Sequence, residues 1–150
     1  EKYKVDFHEG KRPWVVKSDL AFPCATQNEL ELSDAKELIK NECKGVAEGA
    51  NMPTTIEAIE ALAKANIMFC PGKASNAGGV AVSGLEMTQN SIRLSWQRKE
   101  LDERLKNIMH DIHKQCVDFG TENNRVDYVK GANIAGFVKV AEAMVAYGVI

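Results

Sequence analysis

Three stretches of this chain set an asparagine among small residues: CATQNEL with Asn28, EGANMPTT with Asn51 and PGKASNAGG with Asn76. A carboxamide offers a donor and an acceptor at once, and small neighbours let backbone come close to a ligand. One such asparagine is ordinarily a turn residue or helix cap. Three at the same edge of one sheet make a binding site. A fourth stretch, NAGGVAVSGLEMTQN (76–90), places Gly78 and Gly79 in what reads as the first turn of a helix, with Ser83 beyond them among Val80, Val82 and Leu85. Each interior glycine costs a helix about 1 kcal/mol relative to alanine. Two readings account for that pattern. In one, bare backbone faces a ligand and a buried hydroxyl bonds it. In the other, the glycines serve close helix packing and the serine bonds its own i−4 carbonyl. On residue types alone the two stand equal.

Other motifs say less. Gly72-Lys73 is followed by Ala74, and Ile67 stands where a phosphate loop needs its first glycine, so there is no Walker sequence. No GxGxxG occurs either, so the pyrophosphate loop of any dinucleotide site is expected upstream of Glu1, leaving the three asparagine loops to the nicotinamide half. His110 and His113 lie one helical turn apart, but Cys116 is rotated about 120° from His110 and no fourth ligand is near. These read as solvated histidines, and no metal site is expected.

The elements that must position these groups follow from the apolar pattern. Short runs at 19–24, 44–49 and 66–72 read as buried strands. Between them, residues 33–42 read as a helix capped by Ser33, and 53–66 as a helix capped by Thr54 or Thr55 with Ile56, Ile59, Leu62 and Ala63 on one face. Alternation at this spacing implies right-handed crossovers in a parallel sheet, the α/β class. In such sheets ligands bind at the carboxyl ends of the strands, which is where the three asparagine loops fall. Three helical segments follow, at 76–98, 99–119 and about 127–147. The second carries a stripe of Leu101, Leu105, Ile108, Ile112 and Cys116 or Val117. The third carries Val129, Ala132, Ala135 or Gly136, Val138, Ala141, Met144 and Val145.

The 150 residues, 45% of them hydrophobic, suffice for one domain with a real core. A net charge of −2, with the basic residues dispersed, gives no face for nucleic acid or an acidic membrane. No apolar run is long enough to span a bilayer and no signal peptide opens the chain, so a cytoplasmic setting is expected. Cys24, Cys43, Cys70 and Cys116 are far apart with no CxxC pair, and are expected to be buried reduced thiols. The chain opens in a polar stretch without methionine, and three strands leave a sheet edge bare. Both features lead to the expectation that another portion of the sheet precedes Glu1.

PCATQNEL, VAEGANMPTT, PGKASNAGGVAVSGLEMTQN and KGANIAGFVKVAEAM, taken in order from about Asp19 to Ile150, closely resemble the carboxyl-terminal part of bacterial-type hexameric glutamate dehydrogenases. The resemblance implies the second half of a Rossmann-like parallel-sheet domain over 1–98, incomplete at its amino end. Three C-terminal helices would follow the sheet, those in residues 99–150 packing back toward a catalytic domain. It implies reversible oxidative deamination of L-glutamate to 2-oxoglutarate and ammonia, in a homo-hexamer, with NADP or NAD. The blocks are slightly more similar to the NADP-preferring members. The catalytic lysines and aspartate would lie upstream, so this chain holds no catalytic residue and is expected to be inactive alone. By matching motif, Ser83 would hydrogen-bond the side-chain carboxylate of glutamate, with Val80 in the same pocket wall. Ala25, Thr26, Asn28 and Asn51 would line the cofactor near its nicotinamide ribose, and Asn76 would sit near the nicotinamide or the substrate's α-substituents. Related leucine and phenylalanine dehydrogenases share NAGGV but are apolar where Ser83 stands, which speaks against a branched-chain or aromatic amino-acid dehydrogenase. A stand-alone nucleotide- or amino-acid-binding module without catalysis is the remaining alternative.

Overall fold

In the computed structural model, which describes residues 8–148, three short strands form one parallel sheet in the order β1-β2-β3: β1 (Leu20–Ala21), β2 (Gly45–Ala47) and β3 (Met68–Cys70). Leu20 pairs with Gly45, and Gly45 in turn with Met68. Backbone bonds carry the ladder past the strand ends, Lys44 N donating to Asp19 O at 2.8 Å and Glu48 N to Cys70 O at 3.1 Å. The α/β reading holds. The core beneath the sheet is the one that the apolar runs foretell: Val46 and Phe69 from the strands meet Leu30, Leu38, Ala58 and Leu62.

Two helices cross between the strands, α1 (Leu32–Lys40) and α2 (Ile56–Lys64). Thr55 caps α2, its Oγ1 accepting from Ala58 N at 3.4 Å. Ser33 does not cap α1. Glu31 holds the cap position, and Asp34 Oδ2 accepts from the Glu31 N–H at 2.9 Å. Arg12 fastens that corner from outside, donating to Asp34 at 2.5 Å and to Glu31 at 3.1 Å. Charge-assisted bonds of this kind outweigh a neutral serine cap.

Beyond β3 one turn, α3 (Gly72–Ser75), comes before the helix expected over 76–98, and that helix, α4 (Ala77–Ile92), stops short of the expected end. Arg93, in the left-handed region at φ 57°, ends α4. The connection to α5 (Arg98–Gly120) is held where Trp96 N donates to Gln89 Oε1 at 2.5 Å and the Arg104 guanidinium sits 4.2 Å from the Trp96 ring centre. A small hairpin, β4 (Thr121–Glu122) and β5 (Arg125–Val126), joins α5 to α6 (Tyr128–Tyr147).

The α5–α6 crossing is tight. A Cβ on Gly131 would run into the Cys116 carbonyl, and one on Gly120 into the Asp127 carbonyl. On α6 the apolar stripe is half-buried as far as Ala141, whereas Met144 and Val145 are exposed. No residue of α4 is buried, and Ser83, read above as buried among valines, is exposed with Val80 and Val82. Periodicity identifies an apolar face; it does not say what covers it. Among the cysteines, Cys43 and Cys116 are buried, Cys70 is half-buried, and Cys24 is exposed, contrary to expectation. All four are free thiols. Among the described residues, no helix is long and apolar enough to cross a membrane and no cluster of metal-ligating side chains exists. His113 stacks on Tyr128, with ring centres 5.7 Å apart, while His110 faces solvent.

Candidate functional site

The loops at the carboxyl ends of the three strands converge because each is tied to the next. Asn28 N, after β1, donates to Met52 O at 3.1 Å, and Leu30 N donates to Pro53 O at 2.9 Å. Asn76 Nδ2, after β3, donates to Ala50 O at 3.0 Å. Between them lies a cavity of about 670 Å³, lined by Asn28, Asn51 and Asn76 together with Gln27, Thr54, Lys73 and an apolar wall that includes Ile59, Phe69, Pro71 and Val129. That volume is in the range of small-ligand sites. Asn28 adopts φ 55° and Met52 φ 49°. Asparagine tolerates this region, but a long side chain such as Met52 is held there against a preference of about 1–2 kcal/mol. The rim is thus a defined shape held by its bonds.

Beneath the cavity the carboxylate of Glu48, 5% exposed, accepts from Gly72 N at 2.5 Å and from Thr54 N at 3.2 Å. Ser75 Oγ donates to Glu48 O at 2.6 Å. Lys73 Nζ donates to Asn133 Oδ1 at 2.6 Å, joining the rim to α6. Behind β3, burial pushes the Cys70 thiol up, with nearby Cys116 adding to the effect, and burial likewise raises Tyr128. All three remain uncharged near neutrality.

The other predicted site residues lie outside the cavity lining. Ala25 N and Thr26 N both donate to Glu29 Oε1, at 2.7 and 3.3 Å. Val80 is 77% exposed. Ser83 Oγ donates to Gly79 O at 3.3 Å, the i−4 bond of the second reading of that segment. Within this chain the geometry therefore unites the asparagines and leaves Ala25, Thr26, Val80 and Ser83 on open surface.

Residues 1–148 match the family model for glutamate/leucine/phenylalanine/valine dehydrogenases. The chain belongs to this family. It is 62% identical over 151 residues to the NADP-specific glutamate dehydrogenase of Haemophilus influenzae, covering 99% of this chain and 34% of that protein. It is 59% identical over 145 residues to the NAD-specific glutamate dehydrogenase of Porphyromonas gingivalis, covering 97% of this chain and 33% of the other. Among solved structures, glutamate dehydrogenase 2 of Plasmodium falciparum superposes with a TM-score of 0.91 at 51% identity, over 99% of this chain and 33% of that one. The chain spans about a third of the length of the curated relatives it matches.

For a glutamate/leucine/phenylalanine/valine dehydrogenase chain, the donor set at the cavity suits the nicotinamide half of a cofactor. Carboxamides complement both a ring carboxamide and ribose hydroxyls, and Phe69 and Pro71 offer apolar surface to a flat ring. Thr54 Oγ1 is buried at the cavity without a hydrogen-bond partner among the described residues, and buried hydroxyls normally have one. Glu48, Thr54, Lys73 and Ser75 lie in the loops singled out from sequence, but none is expected there as a site residue; Thr54 is expected only as a possible cap of α2. The signal for Glu48 was available: a glutamate between an apolar strand and Gly49 interrupts a run that otherwise reads as buried.

Proposed function

We propose that this chain is the nicotinamide-side portion of a glutamate dehydrogenase, and that the intact enzyme interconverts L-glutamate, water and oxidised NAD(P) with 2-oxoglutarate, ammonium, reduced NAD(P) and a proton. Convergence of Asn28, Asn51 and Asn76 on one cavity at the carboxyl ends of a parallel sheet carries the reading. When bound, the cofactor's nicotinamide takes the hydride that leaves the α-carbon of glutamate. Asn51 and Asn76 orient the nicotinamide half through their amides, and Ala25 and Thr26 border it from the β1 loop. Ser83 lies one helical turn beyond Gly79; when substrate binds, its hydroxyl turns from the Gly79 carbonyl to donate to the substrate's side-chain carboxylate, with Val80 beside it in the pocket wall. A hydroxyl cannot neutralise a carboxylate, so a lysine from elsewhere in the enzyme completes that pocket.

Residues 1–98 serve as the second half of the cofactor domain, and 99–150 as helices returning to the catalytic domain. NADP is the favoured cofactor, because the Haemophilus influenzae relative is named for it; the Porphyromonas gingivalis relative keeps NAD in play. The working assembly is a cytoplasmic homo-hexamer.

Ser83→Val in the full-length polypeptide carrying this sequence tests the assignment. A hydrogen bond to a charged group contributes about 1.5–3 kcal/mol. The expected result is a loss of about 10- to 100-fold in kcat/KM for glutamate, with the NADPH Kd from fluorescence titration within twofold of wild type. An unchanged kcat/KM removes Ser83 from the substrate pocket.

A further inference from the structure

Among the described residues Glu48 is the one acidic group that reaches two of the loops around the cavity at once, and nothing in the proposed chemistry uses it as an acid or base. We propose that Glu48 is a positioning residue for the cofactor: its buried carboxylate fixes the β2 and β3 loops in the relative placement that lets Asn51 and Asn76 face one ligand. This rests on the functional reading above.

The carboxylate divides its two oxygens between two loops, Oε1 accepting from Thr54 N at 3.2 Å and Oε2 from Gly72 N at 2.5 Å. Its backbone oxygen takes Ser75 Oγ at 2.6 Å, so side chain and main chain of one residue hold both ends of α3. Gly72 is where the parts meet. A Cβ there would lie 3.0 Å from Ala50 O, 3.2 Å from Glu48 Oε2 and 3.3 Å from Asn76 Nδ2, closer than neighbours normally tolerate. The Asn76 amide donates to Ala50 O, two residues beyond Glu48. Thr54 in turn bridges to Leu30, which extends the tie to the loop bearing Asn28. Burying a carboxylate is unfavourable unless its oxygens are satisfied, so the arrangement is stable only when both N–H groups point at it. The acidic side chain therefore converts an otherwise adjustable pair of loops into one rigid rim.

Glu48→Gln keeps the volume but turns one acceptor into an NH₂ group facing a backbone N–H. In the full-length polypeptide, hydrogen exchange at the Gly72 and Thr54 amides should accelerate at least tenfold. The NADPH Kd from fluorescence titration should rise fivefold or more, while KM for glutamate moves less than twofold. Leu38→Ala, in the core under α1, supplies the control; at a matched loss of Tm it should leave the NADPH Kd unchanged. A Kd for Glu48→Gln within twofold of wild type, or an equal rise in the Leu38→Ala control, overturns the proposal. If Glu48→Gln cannot be isolated folded, Ser75→Ala decides: a rise of twofold or more in Kd supports the role, and none overturns it. A wild-type enzyme that ignores both NADPH and glutamate would sink the functional reading instead, and exchange at Gly72 and Thr54 would still judge the clamp.

Discussion

Cys24 and Cys70 leave their strands at the same edge of the sheet and meet opposite surroundings. Cys24 is exposed, whereas Cys70 is half-buried with its thiol pushed up by burial and by nearby Cys116. Cys43 is buried, its thiol directed at Gly45 O at 3.3 Å, and burial raises Cys116. Alkylation needs the thiolate, so a raised thiol presents less of its reactive form at any given pH. Iodoacetamide at pH 8 should therefore modify Cys24 roughly ten times faster than any of the others, on combined grounds of access and ionisation. The lag of Cys70 and Cys116 should shrink as the pH is raised toward their elevated values. Peptide mass mapping of a time course checks this, and uniform labelling would contradict the exposures described. Residue identity alone did not reveal which cysteine faces water, because Cys24 follows the same kind of apolar run as Cys70. The asparagines were legible because three matching loops recur at strand ends. Glu48 was legible only as a break in an apolar run, and the fold alone shows two amides aimed at it.

Glycines in α6 separate two effects that sequence treats alike. Gly131 and Gly136 both sit inside a helix, where alanine is better by about 1 kcal/mol. A Cβ on Gly136 meets nothing within 4 Å, so Gly136→Ala should stabilise the chain by about 0.5–1 kcal/mol in urea unfolding. At Gly131 the same methyl would strike the Cys116 carbonyl, and forcing α5 and α6 apart should instead cost about 1–3 kcal/mol. A stabilising Gly131→Ala would mean that the crossing is looser than described, and a destabilising Gly136→Ala that position 136 is less open. Helix existence and the stripe on α5 were readable from periodicity. The hairpin after α5 was not read, although its signal is present: Asn123 and Asn124, at φ 50° and 61°, are the adjacent left-handed residues that a tight two-residue turn demands. The start of α1 was misread for a chemical reason. Its cap rests on Glu31, Asp34 and a distant Arg12, a partnership that no local window contains.

Burial is unevenly shared across the molecule. Trp14 through Phe69 supply nearly all of the core cluster; of the fully buried large side chains, Leu38, Leu62 and Val46 belong to the sheet and its two crossing helices, and Leu30 lies in the loop that leads into α1. The later helices contribute few buried positions, chiefly Cys116, Gly120 and Gly131. Opening free energy follows local burial. In the 150-residue chain, amide exchange should accordingly be slowest in β2, β3, α1 and α2, and at least a hundredfold faster in α4 and the last two turns of α6. Equal protection throughout would show that the helices draw stability from something other than the contacts seen. The overall α/β order was legible because strand and helix periods alternate cleanly up to Pro71. The covering of the later helices was not, because an apolar stripe looks the same whether it meets protein or water. Within this chain Val80, Met87, Phe137 and Val145 are exposed. Solvent gains whenever such groups find one another, so the behaviour of this polypeptide in a test tube is a function of how much of it is dissolved as well as of how warm it is.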